Sequence, residues 1–422
     1  MFENKKIHMI GIGGISMSGI AMILKSFNAS VTGYDATKTS LTENLEKSGI
    51  KVTYETNLKN VKDADIIIYT AAIHEDNEEL KYARKENKCI YERSTALGLL
   101  MKEYENVLCI SGTHGKSTTT GMVSTIFMKA GLNPTIMIGA ILPIINSNNH
   151  IGSKKYFIAE SCEYVDSFLE FYPTSEIVLD IDDDHLDYFK NIEGIISSFK
   201  KFTSKLNNNS NYMAKNISYN ENGHASYDLF IDGSYIDKIN LSVSGIHNVY
   251  NSLAAIAMCK LYDISLENIK DGLSAYTGVG RRFELIGKYN DALVYDDYAH
   301  HPSEIKTTLD SVKKVNHNKD YAIFQSHTYS RTIEHLNEFA DVLSKFDNII
   351  IAPIYPAREK NIWGVKEEML VDLIKEKNPN VIYLDSFDKI KNYIKSTIKP
   401  NDLVITIGAG PINEVAKEIV NE

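Results

Sequence analysis

The sequence predicts an α/β protein of three domains. The chain has 422 residues, which is enough for two to four domains. Short apolar strands alternate with helical segments along its length, a pattern typical of parallel sheets. Glycine-rich turns follow three of these strands, beginning at Gly11, Gly112 and Gly408. The fold class predicted is a Rossmann-like N-terminal domain, a central α/β domain and a C-terminal Rossmann-like α/β domain.

Composition excludes several classes of function. The net charge is −10 and no basic arm is present, which argues against non-specific binding to nucleic acid or to membranes. No apolar run approaches the roughly 20 residues of a membrane span. The four cysteines form no C-x-x-C pair, and three lie in apolar runs, so we expect buried free thiols in a reducing compartment. The protein is therefore expected to be cytoplasmic.

The first strand, residues 5–10, opens into a glycine turn that resembles the first turn of a Rossmann fold. A second strand, Ser30–Tyr34, ends in Asp35, where such folds place an acid for a ribose or a base. The third glycine of the G-x-G-x-x-G pattern is Ser16, so a nicotinamide site remains an alternative that the motif favours only weakly. Strands at 65–69 and 88–91 complete this domain, which we place at residues 1–103.

The central domain, residues 104–280, begins with a strand at Asn106–Ser111 and the turn Gly112–Ser117. A helix is predicted from Lys116 to about Ala130, closed by Gly131. Backbone N–H groups and the helix dipole converge at such a junction, which suits a polyphosphate. In this interpretation Lys116 reaches the β- and γ-phosphates and the Ser117 hydroxyl holds Mg²⁺, making this a P-loop-type ATP-binding domain. The motif is shortened, because Ile110 stands where the first glycine usually lies, and an ordinary turn is the alternative.

Two polar clusters follow later strands of this domain. One contains Glu160 and Glu163, and the other is residues 182–188, with His185. Carboxylate and imidazole groups beside a loop hydroxyl suit Mg²⁺ ions that bridge ATP phosphates, so Glu160 and His185 are metal-site candidates. A solvated turn that caps the next helix is the alternative for the acids.

Antiparallel strands are predicted between 227 and 243, and a helix begins near Gly245. Asn248, at its start, either caps the helix or reads an adenine edge. The next polar segment contains Arg281 and Arg282 after two glycines, and it is either a hinge that carries a phosphate-binding cation or a plain linker.

The α/β alternation restarts in the C-terminal domain, residues 281–422. Its strands end in polar segments at 296–302, 325–331 and 355–359, which describe a site shared across a cleft. Zinc binding by His300 and His301 is disfavoured, because adjacent residues rarely share one metal.

The ordered set of motifs resembles the Mur ligase family over essentially the whole chain, and within it the alanine-adding enzymes. The matching segments are 8–19, 112–120, 159–160, 181–188, 247–248, 278–283, 296–302 and 324–332. The resemblance implies that the three domains bind a UDP-sugar, ATP and an amino acid, in that order.

The implied reaction is ATP-driven amide formation in peptidoglycan precursor synthesis. The lactyl carboxylate of UDP-N-acetylmuramate would attack the γ-phosphate, and L-alanine would attack the resulting acyl phosphate. Lys116, Glu160, His185 and Arg282 would be catalytic. Ser117 and Glu160 would hold one Mg²⁺, with Mn²⁺ also possible, and Glu160 and His185 a second.

The resemblance also implies three sets of binding residues. Those for the UDP-sugar are Gly13, Gly14, Ile15, Ser16, Asp35, Thr70, Arg93 and His114. Those for ATP are Gly112, Thr113, His114, Gly115, Lys116, Ser117, Thr118, Asn248, Arg282 and Asp297, with Arg281 an alternative to Arg282. Those for the amino acid are Tyr298, His300, His327 and Arg331. A monomer or weak homodimer is expected.

Five positions depart from the common family pattern: Ser16, Ser117, Asp180, Ala299 and Thr328. Ser117 keeps the hydroxyl, whereas Thr328 leaves Arg331 as the main guanidinium of its motif. A ligase that adds a whole murein tripeptide to the same UDP-sugar is the nearer alternative function, and a binding protein or nicotinamide oxidoreductase the more distant one.

Overall fold

A computed structural model describes residues 1–181, 192–202, 210–357 and 359–421. The chain forms two compact units, one of residues 1–212 with 251–276 and one of residues 213–250 with 277–422. The antiparallel strands predicted for the central domain therefore group with the C-terminal residues. His185 lies outside the described residues.

The N-terminal part of the first unit contains a five-stranded parallel sheet of order β3-β2-β1-β4-β5. Its strands are β1 (Lys6–Ile10), β2 (Ser30–Tyr34), β3 (Lys51–Thr53), β4 (Ile66–Tyr69) and β5 (Cys89–Glu92). The intervening helices span Ile15–Ser26, Ser40–Lys47, Leu58–Asp63, Glu78–Lys85 and Arg93–Met101. Strand β1 is the central strand, and the Gly11 turn follows its carboxyl end, where ligands bind in such folds.

A second five-stranded sheet has the order β10-β6-β9-β7-β8, parallel except for β8. Its strands are β6 (Asn106–Ser111), β7 (Pro134–Leu142), β8 (Ser147–His150), β9 (Ser153–Glu160) and β10 (Ser175–Val178). The α-helices are Lys116–Lys129, Ile192–Phe202 and Leu266–Ala275, and two 3₁₀ segments span Pro143–Ile145 and Tyr164–Glu170. Strand β6 is almost entirely buried, and a continuous apolar core joins this sheet to the first.

The second unit contains a three-stranded sheet and a six-stranded sheet. The smaller has β11 (Tyr212–Tyr219), β12 (His224–Ile231) and β13 (Ser234–Ser244), with a turn at Asp232 and Gly233, both at positive φ. The larger has the order β14-β15-β19-β16-β17-β18. Its strands are β14 (Glu284–Tyr289), β15 (Ala292–Asp297), β16 (Asp320–Phe324), β17 (Asn348–Ile351), β18 (Val381–Tyr383) and β19 (Leu403–Ile407).

Helices cover both faces of the six-stranded sheet and bury an apolar core on each side. They span Pro302–Val312, Tyr329–Glu334, Leu336–Leu343, Glu367–Lys375, Phe387–Thr397 and Asn413–Asn421. The helix Ile246–Lys260 has residues in both units. The predicted α/β class is confirmed. Strand β14 was not predicted, because it is a half-exposed antiparallel edge strand without a continuous apolar run.

Two further findings concern the sequence predictions. Cys109 and Cys259 are buried but Cys89 and Cys162 are exposed, so the prediction of three buried thiols is wrong. Within the described ranges, no helix is both long enough and apolar enough to cross a bilayer.

Candidate active site

The predicted phosphate-binding loop lies between the buried strand β6 and the helix Lys116–Lys129. Gly112 and Gly115 have φ values of 131° and 79°, which favour glycine. A Cβ at Gly115 would lie 2.5 Å from Asn251 Oδ1, so the loop is closely packed as well. The loop therefore directs N–H groups of the helix's first turn to one place, as anion binding requires.

Lys116 is held by the loop and by a buried carboxylate. Its Nζ donates to Gly112 O at 2.6 Å and Thr113 O at 3.0 Å, and lies 3.2 Å from the carboxylate of Glu163. Burial disfavours the ammonium, but the charges of Glu163, Cys162 and Glu160 outweigh burial and raise the pKa of Lys116. Lys116 therefore supplies a permanent positive charge inside the loop.

Ser117 and Glu160 meet, as predicted for a cation site. The Ser117 hydroxyl donates to Glu160 Oε2 at 2.9 Å, and the Gly139 N–H donates to the same oxygen at 2.8 Å. These hard oxygen donors suit Mg²⁺. Among the described residues, no group of three or more His, Cys, Asp or Glu side chains is arranged to hold a metal. Nucleotide phosphates and water would supply other ligands, and the predicted ligand His185 lies outside the described residues.

Three residues that support this loop were not predicted as site residues. Asp180 accepts from the Thr113 N–H through its carbonyl at 3.1 Å and from the His114 N–H through Oδ1 at 2.8 Å. Glu163 pairs with Lys116, and Asn251 packs on Gly115. Glu163 was visible in the sequence in the cluster with Glu160, but nothing in the spacing pointed Asn251 toward the loop.

The first glycine turn is tied to Asp35. Gly13 N–H donates to Asp35 Oδ2 at 2.8 Å, and a Cβ at Gly13 would lie 2.8 Å from the same oxygen. Thr70 also packs closely, because a Cβ at Gly11 would lie 2.7 Å from Thr70 Cγ2. The structure therefore places Asp35 and Thr70 at this turn.

Arg93 also reaches this turn, with Nη1 3.5 Å from Ser16 Oγ. The Asn148 amide donates to Ile15 O at 2.7 Å, which links the turn to strand β8. Gly14 precedes the helix Ile15–Ser26 as its N-cap. The contacts of Gly14, Ile15, Ser16 and Arg93 with a UDP-sugar stay predictions.

In the second unit, Arg281 has a supporting role. Its Nε donates to Asp296 Oδ2 at 3.0 Å, and its Nη2 donates to Gly408 O at 2.6 Å and Gly410 O at 2.9 Å. The guanidinium thus ties strand β15 to the third glycine turn. Arg282 has Nη1 3.7 Å from Glu304 Oε1 and its side chain is 36% exposed, and its contact with a phosphate stays a prediction.

Asp297 and Asn248 each form hydrogen bonds with nearby residues of the protein. Asp297 accepts from the Ala299 N–H at 3.1 Å and from the Thr308 hydroxyl at 2.9 Å, and burial raises its pKa to about 6. The Asn248 amide donates to Ser244 O at 2.6 Å. The ribose and adenine contacts of these residues stay predictions.

Three predicted amino-acid-binding residues come together at the carboxyl ends of β15 and β16. The rings of His300 and His327 have centroids 5.9 Å apart, and Arg331 Nη1 lies 3.5 Å from His327 Nδ1. Burial, His300 and Arg331 lower the pKa of His327 to about 4, and burial is the largest of the effects that lower the pKa of His300. Both imidazoles are therefore neutral at pH 7, leaving Arg331 as the cation of this cluster.

The cluster is framed by aromatic rings and a helix cap. Tyr298 packs edge-on against His300, and Tyr355 lies 5.8 Å from His327 between ring centroids. His301 is the N-cap of the helix Pro302–Val312 and accepts from Ser303 N–H, so its neighbour His300 alone of the pair faces this cluster.

Comparison with known proteins assigns all three regions to one family. The model described as Mur ligase family, catalytic domain, matches residues 6–105, the Mur ligase middle domain matches 110–217, and the Mur ligase, glutamate ligase domain, matches 281–410. UDP-N-acetylmuramate–L-alanine ligase of Acetivibrio thermocellus is 44% identical, covering 99% of this chain and 96% of that protein. The ligase of the same name from Caldanaerobacter subterraneus is 42% identical, covering 99% and 98%.

Solved structures give the same result for the fold. UDP-N-acetylmuramate-alanine ligase from Thermotoga maritima has a TM-score of 0.85 at 27% identity, covering 99% of this chain and 98% of that one. A murein peptide ligase from Psychrobacter arcticus has a TM-score of 0.67 at 24% identity, covering 98% of both chains. The second likeness concerns the fold alone.

Proposed function

This chain belongs to the Mur ligase family, and we propose that it joins L-alanine to the lactyl carboxylate of UDP-N-acetylmuramate at the expense of ATP. The products are UDP-N-acetylmuramoyl-L-alanine, ADP and phosphate. The single observation that carries this proposal is the full-length similarity to relatives named for that reaction, at 44% identity. The phosphate loop and the His300–His327–Arg331 cluster supply the two kinds of site that the reaction needs.

The first step is transfer of the γ-phosphoryl group. A lactyl carboxylate oxygen attacks the γ-phosphorus, the bond to the bridging oxygen breaks, and ADP leaves. Such a transfer depends on positioning and on neutralising charge rather than on a protein nucleophile. Lys116 neutralises charge from inside the loop, and the N–H groups after Gly115 hold the phosphates. Arg282 is proposed to bind the transferred phosphate.

The cation site fits Mg²⁺. When bound, Mg²⁺ neutralises phosphate charge, and we assign Ser117 and Glu160 to hold it, with Mn²⁺ as a substitute. Gly139 N–H fixes the orientation of the Glu160 carboxylate. His185 is proposed for a second ion.

The second step is attack of the alanine amine on the acyl carbon. The tetrahedral intermediate collapses by loss of phosphate, which carries away one former carboxylate oxygen. Arg331 is suited to the alanine carboxylate, since a guanidinium binds a carboxylate through two parallel hydrogen bonds. The alanine ammonium group must lose a proton before its nitrogen can attack, and the neutral imidazoles of His300 and His327 can accept that proton.

The remaining assignments belong to the same proposal. Residues 1–103 would bind the UDP-sugar, 104–280 ATP and 281–422 L-alanine. The reaction would take place in the cytoplasm, by a monomer or weak homodimer. Tripeptide addition is the second candidate, but the murein peptide ligase is less similar in structure than the alanine ligase, with TM-scores of 0.67 and 0.85.

An acceptor panel tests the proposal. Phosphate release is measured with ATP, Mg²⁺ and UDP-N-acetylmuramate, while L-alanine, glycine, L-serine, D-glutamate or a murein tripeptide is added in separate reactions. Release that requires both the UDP-sugar and L-alanine is expected. Release with the tripeptide alone would replace the proposal by the second candidate, and no release with any acceptor would reject both.

A further inference from the structure

Thr328 has a backbone conformation that a β-branched residue rarely adopts. Its φ is 67° and its ψ is 150°, a backbone conformation that is strained for a β-branched side chain. This strain persists only where surrounding contacts determine the conformation. Thr328 lies between His327 and the short helix Tyr329–Glu334, which carries Arg331.

Several hydrogen bonds hold the turn at residues 328–330 in place. The Thr328 N–H donates to Tyr355 O at 2.9 Å, and the Thr332 hydroxyl donates to Thr328 O at 2.6 Å. The Thr328 hydroxyl accepts from the Arg331 N–H at 3.4 Å. Thr328 therefore determines where the helix begins and how the Arg331 backbone is oriented.

Glu359 fixes the same turn from outside. One oxygen of its carboxylate accepts from the Ser330 N–H at 2.9 Å, and the other accepts from the Ser330 hydroxyl. Burial alone would raise the pKa of Glu359, but hydrogen bonds from Ser330, Tyr329 and Thr328 outweigh it and lower the pKa. The group is ionised at pH 7, and these are charge-assisted hydrogen bonds.

We propose that Glu359 is a positioning residue for the amino-acid substrate: its carboxylate holds the 328–330 turn, and the turn aims the Arg331 guanidinium at the substrate carboxylate. Glu359 acts through the hydrogen bonds it accepts from the turn and makes no hydrogen bond to His300, His327 or Arg331 among the described residues. This inference rests on the proposed function, because it requires an amino-acid substrate with a free carboxylate.

The test is the steady-state kinetics of Glu359→Gln with L-alanine and with L-alaninamide, which lacks the carboxylate. A glutamine keeps one acceptor oxygen for the Ser330 N–H and replaces the other with an NH2 group, so the negative charge that strengthens both Ser330 hydrogen bonds is lost. We expect the KM for L-alanine to rise roughly ten-fold, as for loss of one charge-assisted hydrogen bond, with kcat and the KM values for ATP and UDP-N-acetylmuramate within two-fold. The preference for L-alanine over L-alaninamide should fall by a similar factor.

Two further variants make the test specific. Ser330→Ala should raise the KM for L-alanine several-fold in the wild-type background and have little further effect in Glu359→Gln, because the two groups act as one unit. Glu338→Gln removes an exposed acid from the next helix, Leu336–Leu343, and should change nothing.

An unchanged KM for L-alanine in Glu359→Gln would overturn the inference. So would an equal loss in every kinetic constant with an unchanged alanine-to-alaninamide preference, because that pattern indicates a general structural role. A wild-type protein with no L-alanine-dependent phosphate release would instead reject the proposed function, and the inference with it.

Discussion

Replacing Lys116 with alanine should both abolish turnover and destabilise the first unit. The Glu163 side chain is 2% exposed and the Lys116 side chain 14%, and the ammonium lies 3.2 Å from the carboxylate. Lys116→Ala leaves that carboxylate buried without its cation, which costs about 3–5 kcal/mol. At 2–4 °C per kcal/mol for a unit of this size, the melting temperature should fall by roughly 6–20 °C.

A second substitution separates the two effects. Glu163→Gln in the Lys116→Ala background removes the uncompensated charge and should recover most of the lost stability. Turnover should stay absent in both variants, because neither carries the cation that neutralises the phosphates. Lys129→Ala, at the exposed end of the same helix, is the matched control and should resemble the wild type.

Thermal unfolding followed by circular dichroism and ATP-dependent phosphate release are the two assays. If Lys116→Ala has the melting temperature of the wild type, the ion pair does not stabilise the unit and the energetic reasoning is wrong. If Lys116→Ala retains wild-type turnover, the phosphate-loop assignment is wrong.

Three further predictions concern the cation, the amino acid and pH. Ser117→Ala should raise the Mg²⁺ concentration needed for half-maximal turnover by at least roughly ten-fold, whereas Ser117→Thr, which keeps the hydroxyl, should be near wild type; a Mg²⁺ titration of phosphate release compares them. Arg331→Lys should raise the KM for L-alanine by about ten-fold with little change in the KM for ATP, since an ammonium cannot form the two parallel hydrogen bonds; equal KM values for L-alanine in variant and wild type would refute this. The pKa of His327 is lowered to about 4 in the folded protein. As the pH decreases from 6.5 to 4, the unfolded chain therefore takes up a proton that the folded chain does not, and the free energy of unfolding should decrease. Urea titrations at pH 7, 5.5 and 4.5 should show a smaller pH-dependent loss in His327→Gln than in the wild type.

The elements that were predictable carry local signals. The strand Asn106–Ser111, the helix after it and the Gly131 stop are visible because an apolar run, two glycines and a helical pattern follow in order. The same holds for Leu403–Ile407 and the Gly408 turn. Strand β14 forms a hairpin with β15, but it is half-exposed and no continuous apolar run marks it in the sequence. The grouping of residues 213–250 with the C-terminal unit depends on contacts between segments that are distant in sequence, which leave no periodic pattern.

The candidate site divides in the same way. Lys116, Ser117 and Glu160 follow from strand ends and loop chemistry, and the structure brings them together. The supporting residues could not be found this way, because their function depends on a contact across the fold. Glu359 reaches Ser330 across 29 residues, and Arg281 reaches Gly408 across 127. Arginine and glutamate at such positions resemble ordinary surface residues in a sequence.

The central claim is that this chain activates a carboxylate as an acyl phosphate. The most direct measurement uses UDP-N-acetylmuramate labelled with ¹⁸O in the lactyl carboxylate, with ATP, Mg²⁺ and L-alanine, followed by mass spectrometry of the phosphate released. An acyl phosphate predicts one ¹⁸O atom in each phosphate, because the oxygen that attacks the γ-phosphorus leaves with it. Phosphate that is released together with UDP-N-acetylmuramoyl-L-alanine but carries no ¹⁸O would contradict the account.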